Sequence, residues 1–244
     1  MDIPIHHRWD LSRDRARQIQ ASIASEIVFE DQFSEIGTVA GIHIGYGRTR
    51  SGAITGRASV VVVSLPDLEV LEQHHVRRQV TFPHMPDLLS FREVPLALAG
   101  LGLLAEAPDL LMVESASRCS PNILSVSGHL GVLLDLPAVC CANISSRQPS
   151  TALPETTGSW LRNQYGSERA TATLRTRAGY TPMQIAPGHR VSLESAVSLV
   201  MQCTRGFRVP EPLRLARQLT DQWVHSDENH GAPAAPWAGT PVLC

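Results

Sequence analysis

The chain contains no lysine, and all 21 of its Lys or Arg positions are arginine. This absence excludes any mechanism that uses a lysine as a nucleophile, as a Schiff-base amine or as a phosphate anchor. A basic surplus is also missing, since 23 acidic residues give a formal net charge of −2. Domains that bind nucleic acid usually carry such a surplus. The overall charge therefore argues against strong phosphate binding, although a local basic patch fits within a neutral total.

Long apolar runs and cysteine motifs are missing as well. The absence of any apolar run of about 18 residues excludes a membrane-spanning helix. The five cysteines form no CxxC pair and no Cys/His spacing typical of a metal site. The first residues, MDIPIHHRWDLSRDRARQIQ, are polar and charged, unlike a secretory signal. We therefore expect reduced core thiols in a cytoplasmic protein.

The residues that are present have the pattern of one globular domain. The chain has 244 residues, of which 43% are hydrophobic. Residues 226–244 are rich in Pro, Gly and Ala and lack periodicity, which predicts a domain at 1–225 and a disordered tail at 226–244. Apolar periodicity predicts helices at 10–29, 93–105, 122–134, 192–204 and 211–223, and strands at 38–46, 57–65, 68–80, 108–114, 138–142, 170–177 and 181–186.

This order of elements indicates an α/β fold of the ribonuclease H-like type, a mixed sheet with helices on both faces. In that layout, carboxylates at strand ends converge to hold divalent metal ions for phosphodiester chemistry. The matching positions here are His43, Glu93 and Glu114. His43 lies at the centre of the predicted strand VAGIHIGYG. Its imidazole could be a metal ligand, an acid or base, or a satisfied core side chain.

Six motifs, in family order across residues 6–222, resemble the endonuclease V family. They are HHRWDL, TFPHMPDLLSFREVPL, PDLLMVE, GHLGVLLDLP, PGHRVS and RVPEPLRLA. The resemblance implies the endonuclease V fold and a nuclease that nicks DNA or RNA near deaminated adenine with Mg²⁺ or Mn²⁺. It also implies a wedge loop at 83–86, in which His84 replaces the usual aromatic residue.

The same resemblance implies that the metal site is altered. His43 stands where the family has its first metal-binding carboxylate, an Asp. The family's next carboxylate is kept as Glu93, and the Asp that ends the following buried strand is Glu114 here. Asn143 replaces a Lys, and Arg217 in the final helix replaces a His or an Asp.

Two further segments depart from the family pattern. Ser115-Ala116-Ser117 replaces a Gly-rich turn that accepts the flipped base, and Ser120-Pro121-Asn122 replaces a His-Pro-Arg segment. Backbone N–H groups that follow a strand often receive an anion. We therefore predict that Ser115 and Ser117 bind substrate, together with His84 and Asn143, with a plain turn as the alternative for the two serines.

These replacements weaken a magnesium site, because Mg²⁺ demands oxygen ligands in a near-octahedral arrangement. We therefore predict no bound metal and no cofactor, and we predict His43, Glu93, Glu114 and Arg217 as catalytic residues. For Glu93, complementing a helix dipole is an equal alternative. For Arg217, solvation or an ion pair with Glu114 is an equal alternative to anion binding.

The altered site favours a non-nuclease function on a small molecule. The chain resembles a natural-product offshoot of the family that works as paired paralogous subunits, which implies aziridine ring formation by expulsion of sulfate. The expected partners are then a paralogous chain in a heterodimer and a small molecule, without membrane or nucleic acid. One alternative is a divergent metal-dependent endonuclease at deaminated adenine, and another is an inactive scaffold for an active paralogue.

Overall fold

The computed structural model describes residues 1–230 apart from 2, 4–6, 49–51, 116–122, 144–152 and 166–168. Its centre is one mixed sheet of eight strands in the order β3-β2-β1-β4-β5-β8-β7-β6. The strands are β1 Thr38–Arg48, β2 Ile54–Ser64, β3 Val70–Gln79, β4 Leu110–Ser115, β5 Ala138–Asn143, β6 Trp160–Tyr165, β7 Arg169–Leu174 and β8 Met183–His189.

The pairing of the strands divides this sheet into three parts. The first three strands form antiparallel hairpins, and β1 then pairs in parallel with β4, and β4 with β5. The last three strands return antiparallel, with β8 next to β5. The carboxyl ends of β4 and β5 therefore lie side by side, next to the middle of β1.

Helices cover both faces of the sheet. They are α1 Arg13–Glu26, α2 Leu89–Leu101, α3 Val126–Leu134, α4 Leu193–Gln202 and α5 Glu211–His230. The first three pack against one face, around Ala40, Ile42 and Leu111. The last two pack against the other face, around Val39 and Met112. The predicted mixed sheet with helices on both faces is confirmed, and no helix of the described residues is long and apolar enough to cross a membrane.

The main differences from the predicted elements concern α2, β6 and α5. Helix α2 begins four residues before Glu93, because a short 3₁₀ turn at Pro86–Leu88 leads straight into it. Strand β6 was missed by the periodicity, although it pairs with β7 along its whole length. Helix α5 continues to His230, past the start of the predicted tail at residue 226, and residues 231–244 lie outside the described part of the chain.

Candidate functional site

Three neighbouring strands each place one polar side chain on the α5 face of the sheet. Side chains alternate between the two faces of a strand. In each of these strands, every second side chain packs toward α4 and α5. Continuing that alternation along the strand leads to His43 in β1, Glu114 in β4 and Asn143 in β5. The preceding core residues on that face are Val39, Leu110, Met112, Val139 and Cys141.

Helix α5 brings a fourth side chain to this face because it lies very close to β1. A Cβ atom built on Gly41 would lie 2.3 Å from the backbone carbonyl of Pro212 at the start of the helix. Only glycine permits this approach. Leu213 and Ala216 of the helix are fully buried against the sheet, and the next residue, Arg217, reaches the carboxylate of Glu114.

The carboxylate of Glu114 is held by three side chains. His43 Nδ1 lies 2.7 Å from Oε2, Asn143 Nδ2 donates to Oε1 at 3.2 Å, and the guanidinium of Arg217 donates to both oxygens. The side chain of Glu114 is only 4% exposed. Burial raises its pKa, but the hydrogen bond from His43 and the charge of Arg217 outweigh burial, so that the pKa of Glu114 is below its usual value. The site therefore contains a buried, ionised carboxylate.

A second arginine, Arg208, extends this network from the loop before α5. Two of its N–H groups donate to Asn143 Oδ1 at 2.8 Å, and its Nε donates to the carbonyl of Thr181 at 2.7 Å. Burial and repulsion from Arg217 lower the pKa of Arg208. Sequence reasoning missed this residue, although the RVPEPLRLA motif contains it, because no periodicity links a loop arginine to the end of β5.

Glu93 belongs to a separate pair on the α2 side of the sheet. It lies in the second turn of α2, is 4% exposed, and accepts a hydrogen bond of 3.3 Å from the phenol OH of Tyr46. Burial raises the pKa of Glu93 to about 7. Tyr46 has the parity of Ile42 and not of His43, and the convergence of Glu93 with His43 and Glu114 stays a prediction. The helix-dipole alternative is wrong, because Glu93 is not in the first turn of α2.

The remaining predicted residues have different environments. Ser115 is the half-buried last residue of β4 and pairs in register with Ala142. His84 is exposed, in the segment between β3 and the 3₁₀ turn. Asn143 is the exposed last residue of β5 and is part of the network around Glu114. Ser117 lies outside the described residues.

The divalent metal that the family resemblance implies does not fit these residues. Within the described ranges, no group of three or more His, Cys, Asp or Glu side chains could hold a metal ion. Both oxygens of Glu114 already accept hydrogen bonds, and the positive charge nearest to them is the guanidinium of Arg217. His43 contributes a nitrogen where Mg²⁺ would require oxygen.

The arrangement can instead perform acid–base chemistry beside an anion. A neutral imidazole that donates from Nδ1 to a carboxylate keeps its lone pair on Nε2, where it can accept a proton. The carboxylate also fixes the ring orientation, as it does for the base of a catalytic triad. Arg217 and Arg208 supply N–H donors and positive charge next to this base.

The fold and the site together define an α/β protein with a polar site beside the carboxyl ends of its central parallel strands. The family model of Endonuclease V matches residues 21–218. Endonuclease V of Roseiflexus castenholzii is 40% identical over 216 residues, which cover 88% of this chain and 95% of that relative. The chain therefore belongs to the endonuclease V family.

Solved structures agree with this assignment. Human ENDOV is 28% identical with a TM-score of 0.78, over 89% of this chain and all of that one. Endonuclease V of Ciona intestinalis, 20% identical with a TM-score of 0.75 over 87% of this chain and 98% of that one, was crystallised with a 24mer DNA that contains an inosine. The predicted endonuclease V fold is confirmed.

The comparisons contradict two predictions. The non-nuclease function in small-molecule biosynthesis is wrong, because the relatives that match most of the chain bear the name of a nuclease. The expectation of a paralogous partner without nucleic acid is also wrong, because a matched structure contains DNA and none of these relatives is named as one of a pair. Both predictions relied on the residues at the expected metal site and on the net charge of the chain, and neither feature identifies the family's substrate.

Proposed function

We propose that this protein is a nuclease that hydrolyses a phosphodiester bond of nucleic acid next to a deaminated adenine. Membership of the endonuclease V family is the observation that carries the proposal, because the site alone does not identify the substrate. The cluster of His43, Glu114 and Arg217 supports it, since it combines a base with an anion-binding group. The chain is then a divergent member of the family whose altered site works through its own side chains.

In the proposed reaction His43 is the general base, and its Nδ1–H stays on Glu114. The oxygen of a water molecule forms a bond to phosphorus, and the bond from phosphorus to the leaving sugar oxygen breaks. The proton of the water moves to His43 Nε2, and the leaving oxygen takes a proton from solvent. Arg217 stabilises the negative charge that develops on the phosphate oxygens.

The other predicted residues have supporting roles in this proposal. Asn143 positions Arg208 and Glu114, because it bonds to both. Ser115, the last residue of β4, and Ser117, two positions later in the sequence, contact the nucleic acid near the deaminated base, and exposed His84 stacks on a neighbouring base. The buried thiols of Cys141 and Cys203, which are not in disulfides, support a reducing compartment, the cytoplasm.

The experiment is strand cleavage of end-labelled oligonucleotides that contain one inosine, as DNA and as RNA. Matched strands with adenine are the substrate control. Each is incubated with Mg²⁺, with Mn²⁺ and with EDTA. We expect cleavage near inosine and none of the adenine strand. An absence of cleavage in every condition, by a folded protein, would contradict the proposed function.

Variants of two histidines test the assignment of the base. His43→Ala is expected to lower the cleavage rate by about 100-fold or more, the usual contribution of general acid–base catalysis. His74→Ala is the matched control, because His74 also bonds to a glutamate, Glu72, at 2.7 Å but lies on the edge strand β3. Equal losses in both variants would show that His43 has only a structural role.

A further inference from the structure

The charge of the site has the sign that attracts an anion. Among the described residues, Arg217 binds the carboxylate of Glu114 and Arg208 joins it through Asn143, so these described groups carry a surplus of one positive charge when His43 is neutral. Glu93, the other buried acid of the family pattern, accepts a hydrogen bond from Tyr46, whose parity in β1 is that of Ile42. A divalent cation placed here would be repelled by two guanidinium groups in a partly buried, low-dielectric environment.

Donor groups remain available on Arg217 beyond those that bind Glu114. A guanidinium has five N–H groups, and Glu114 receives bonds from Nε and one Nη of Arg217. The side chain is 41% exposed, so a ligand can reach it from solvent. The mutual repulsion of Arg217 and Arg208 is relieved by an anion that contacts both.

We infer that Arg217 and Arg208 bind the phosphate of the substrate strand directly, so that binding and cleavage need no divalent metal ion. The identity of the ligand as nucleic acid rests on the proposed function. The structural observations do not depend on the proposed function. The guanidinium of Arg217 already neutralises the carboxylate of Glu114, and His43 offers a nitrogen and not an oxygen ligand. Arg208 adds a second cation through its bonds to Asn143. Arg217 replaces the charge that a metal ion would supply, and Arg208 reinforces it through Asn143.

The first measurement is titration calorimetry of the wild-type protein with Mn²⁺, together with fluorescence anisotropy of a labelled inosine oligonucleotide. We expect no saturable Mn²⁺ binding and the same oligonucleotide affinity in EDTA and in Mn²⁺. Stoichiometric Mn²⁺ binding to the wild type, or oligonucleotide binding that is lost in EDTA, would overturn the inference.

Arginine variants test which side chain binds the phosphate. Arg217→Ala is expected to weaken oligonucleotide binding in EDTA at least about tenfold, the cost of one charge-assisted hydrogen bond. Arg217→Lys, which keeps the charge, is expected to restore part of the affinity. Arg162→Ala is the matched control, because Arg162 is paired with Glu194 and is 46% exposed, on β6 away from the site. Equal affinity for the wild type and Arg217→Ala would overturn the role of Arg217.

The outcomes separate this inference from the proposed function. Metal-free binding that depends on Arg217, without cleavage of any strand, would contradict the nuclease and leave the phosphate site in place. Cleavage near inosine that requires added metal would support the nuclease and overturn the direct phosphate site. Circular dichroism spectra of each variant establish that lost binding does not result from lost folding.

Discussion

At the scale of single residues, the two buried glutamates of this protein have opposite electrostatic environments. Glu114 is bound by His43, Asn143 and the cation of Arg217, and its pKa is below its usual value. Glu93 has only the Tyr46 phenol within hydrogen-bond distance among the described residues, and burial raises its pKa to about 7. Glu114 is therefore ionised under physiological conditions, whereas Glu93 gains a proton near neutral pH.

The raised pKa of Glu93 predicts a pH dependence of stability. The folded protein binds a proton that the unfolded chain, with a pKa of 4.5, releases, so stability is highest below that value and falls as the pH rises toward 7. Glu93→Gln removes this loss. Between about pH 4 and pH 8 the free energy of unfolding of the variant should rise relative to wild type by up to about 3 kcal/mol.

Urea denaturation of both proteins at the two pH values measures this difference. Exposed Glu106→Gln is the surface control, for which no comparable change is expected. A gap between Glu93→Gln and the wild type that is the same at both pH values would show that Glu93 is ionised without penalty in the folded state.

At the scale of elements, the contact between α5 and β1 decides where Arg217 lies. Helix α5 is amphipathic, with Leu213, Ala216 and Thr220 buried against the sheet. Thr220 Oγ1 also lies 2.7 Å from Ser59 Oγ on β2, which fixes the helix further along its length. The position of Arg217 beside Glu114 therefore depends on the close approach at Gly41.

Gly41→Ala is expected to move α5 away from the sheet, because the new Cβ would overlap the backbone of Pro212. Overpacking of this kind costs about 1–3 kcal/mol of stability. We expect that loss together with weaker oligonucleotide binding, since Arg217 moves with the helix. Gly37→Ala is the control, because its Cβ would be an ordinary 3.6 Å from Asp109. Unfolding curves and oligonucleotide affinities like those of Gly37→Ala would contradict the role of this contact.

At the scale of the whole molecule, the formal charge of −2 limits nonspecific attraction to nucleic acid. A binding mode that uses two arginines should release few counterions. For a single-stranded oligonucleotide we therefore expect a slope of log affinity against log salt of about −1.4, the value for two phosphate contacts. Anisotropy titrations at several salt concentrations measure it, and a slope of about −4 or steeper would reveal a larger basic surface.

Much of the fold could be predicted because local periodicity survives in the folded state. The β-branched run at Arg57–Val63 and the alternation after it specify the hairpin of β2 and β3. Strand β6 could not be predicted, because WLRNQY has no clean alternation and exists as a strand through its pairing with β7. The start of α2 was misplaced because the preceding Pro86 forms a 3₁₀ turn that continues into the helix.

The candidate site was predictable only in part. The prediction that Arg217 pairs with Glu114 was one of several alternatives, and it is confirmed. The catalytic roles of His43, Glu93, Glu114 and Arg217 stay predictions until the variants are measured. Glu93 was expected beside His43, and that placement stays a prediction; the structure shows α2 packed around Ile42 and Leu111, with Glu93 bonded to Tyr46.

The sequence by itself determined which side chains share a face of the sheet, because alternation along β1, β4 and β5 is a local property of extended chain. Because the sequence contains no lysine, every permanently charged basic side chain is an arginine. Only the tertiary structure decided that Arg208 reaches Asn143, that Arg217 binds Glu114 and that Glu93 turns to Tyr46. These contacts join residues far apart in the chain, and their geometry depends on how helices pack and not on local periodicity.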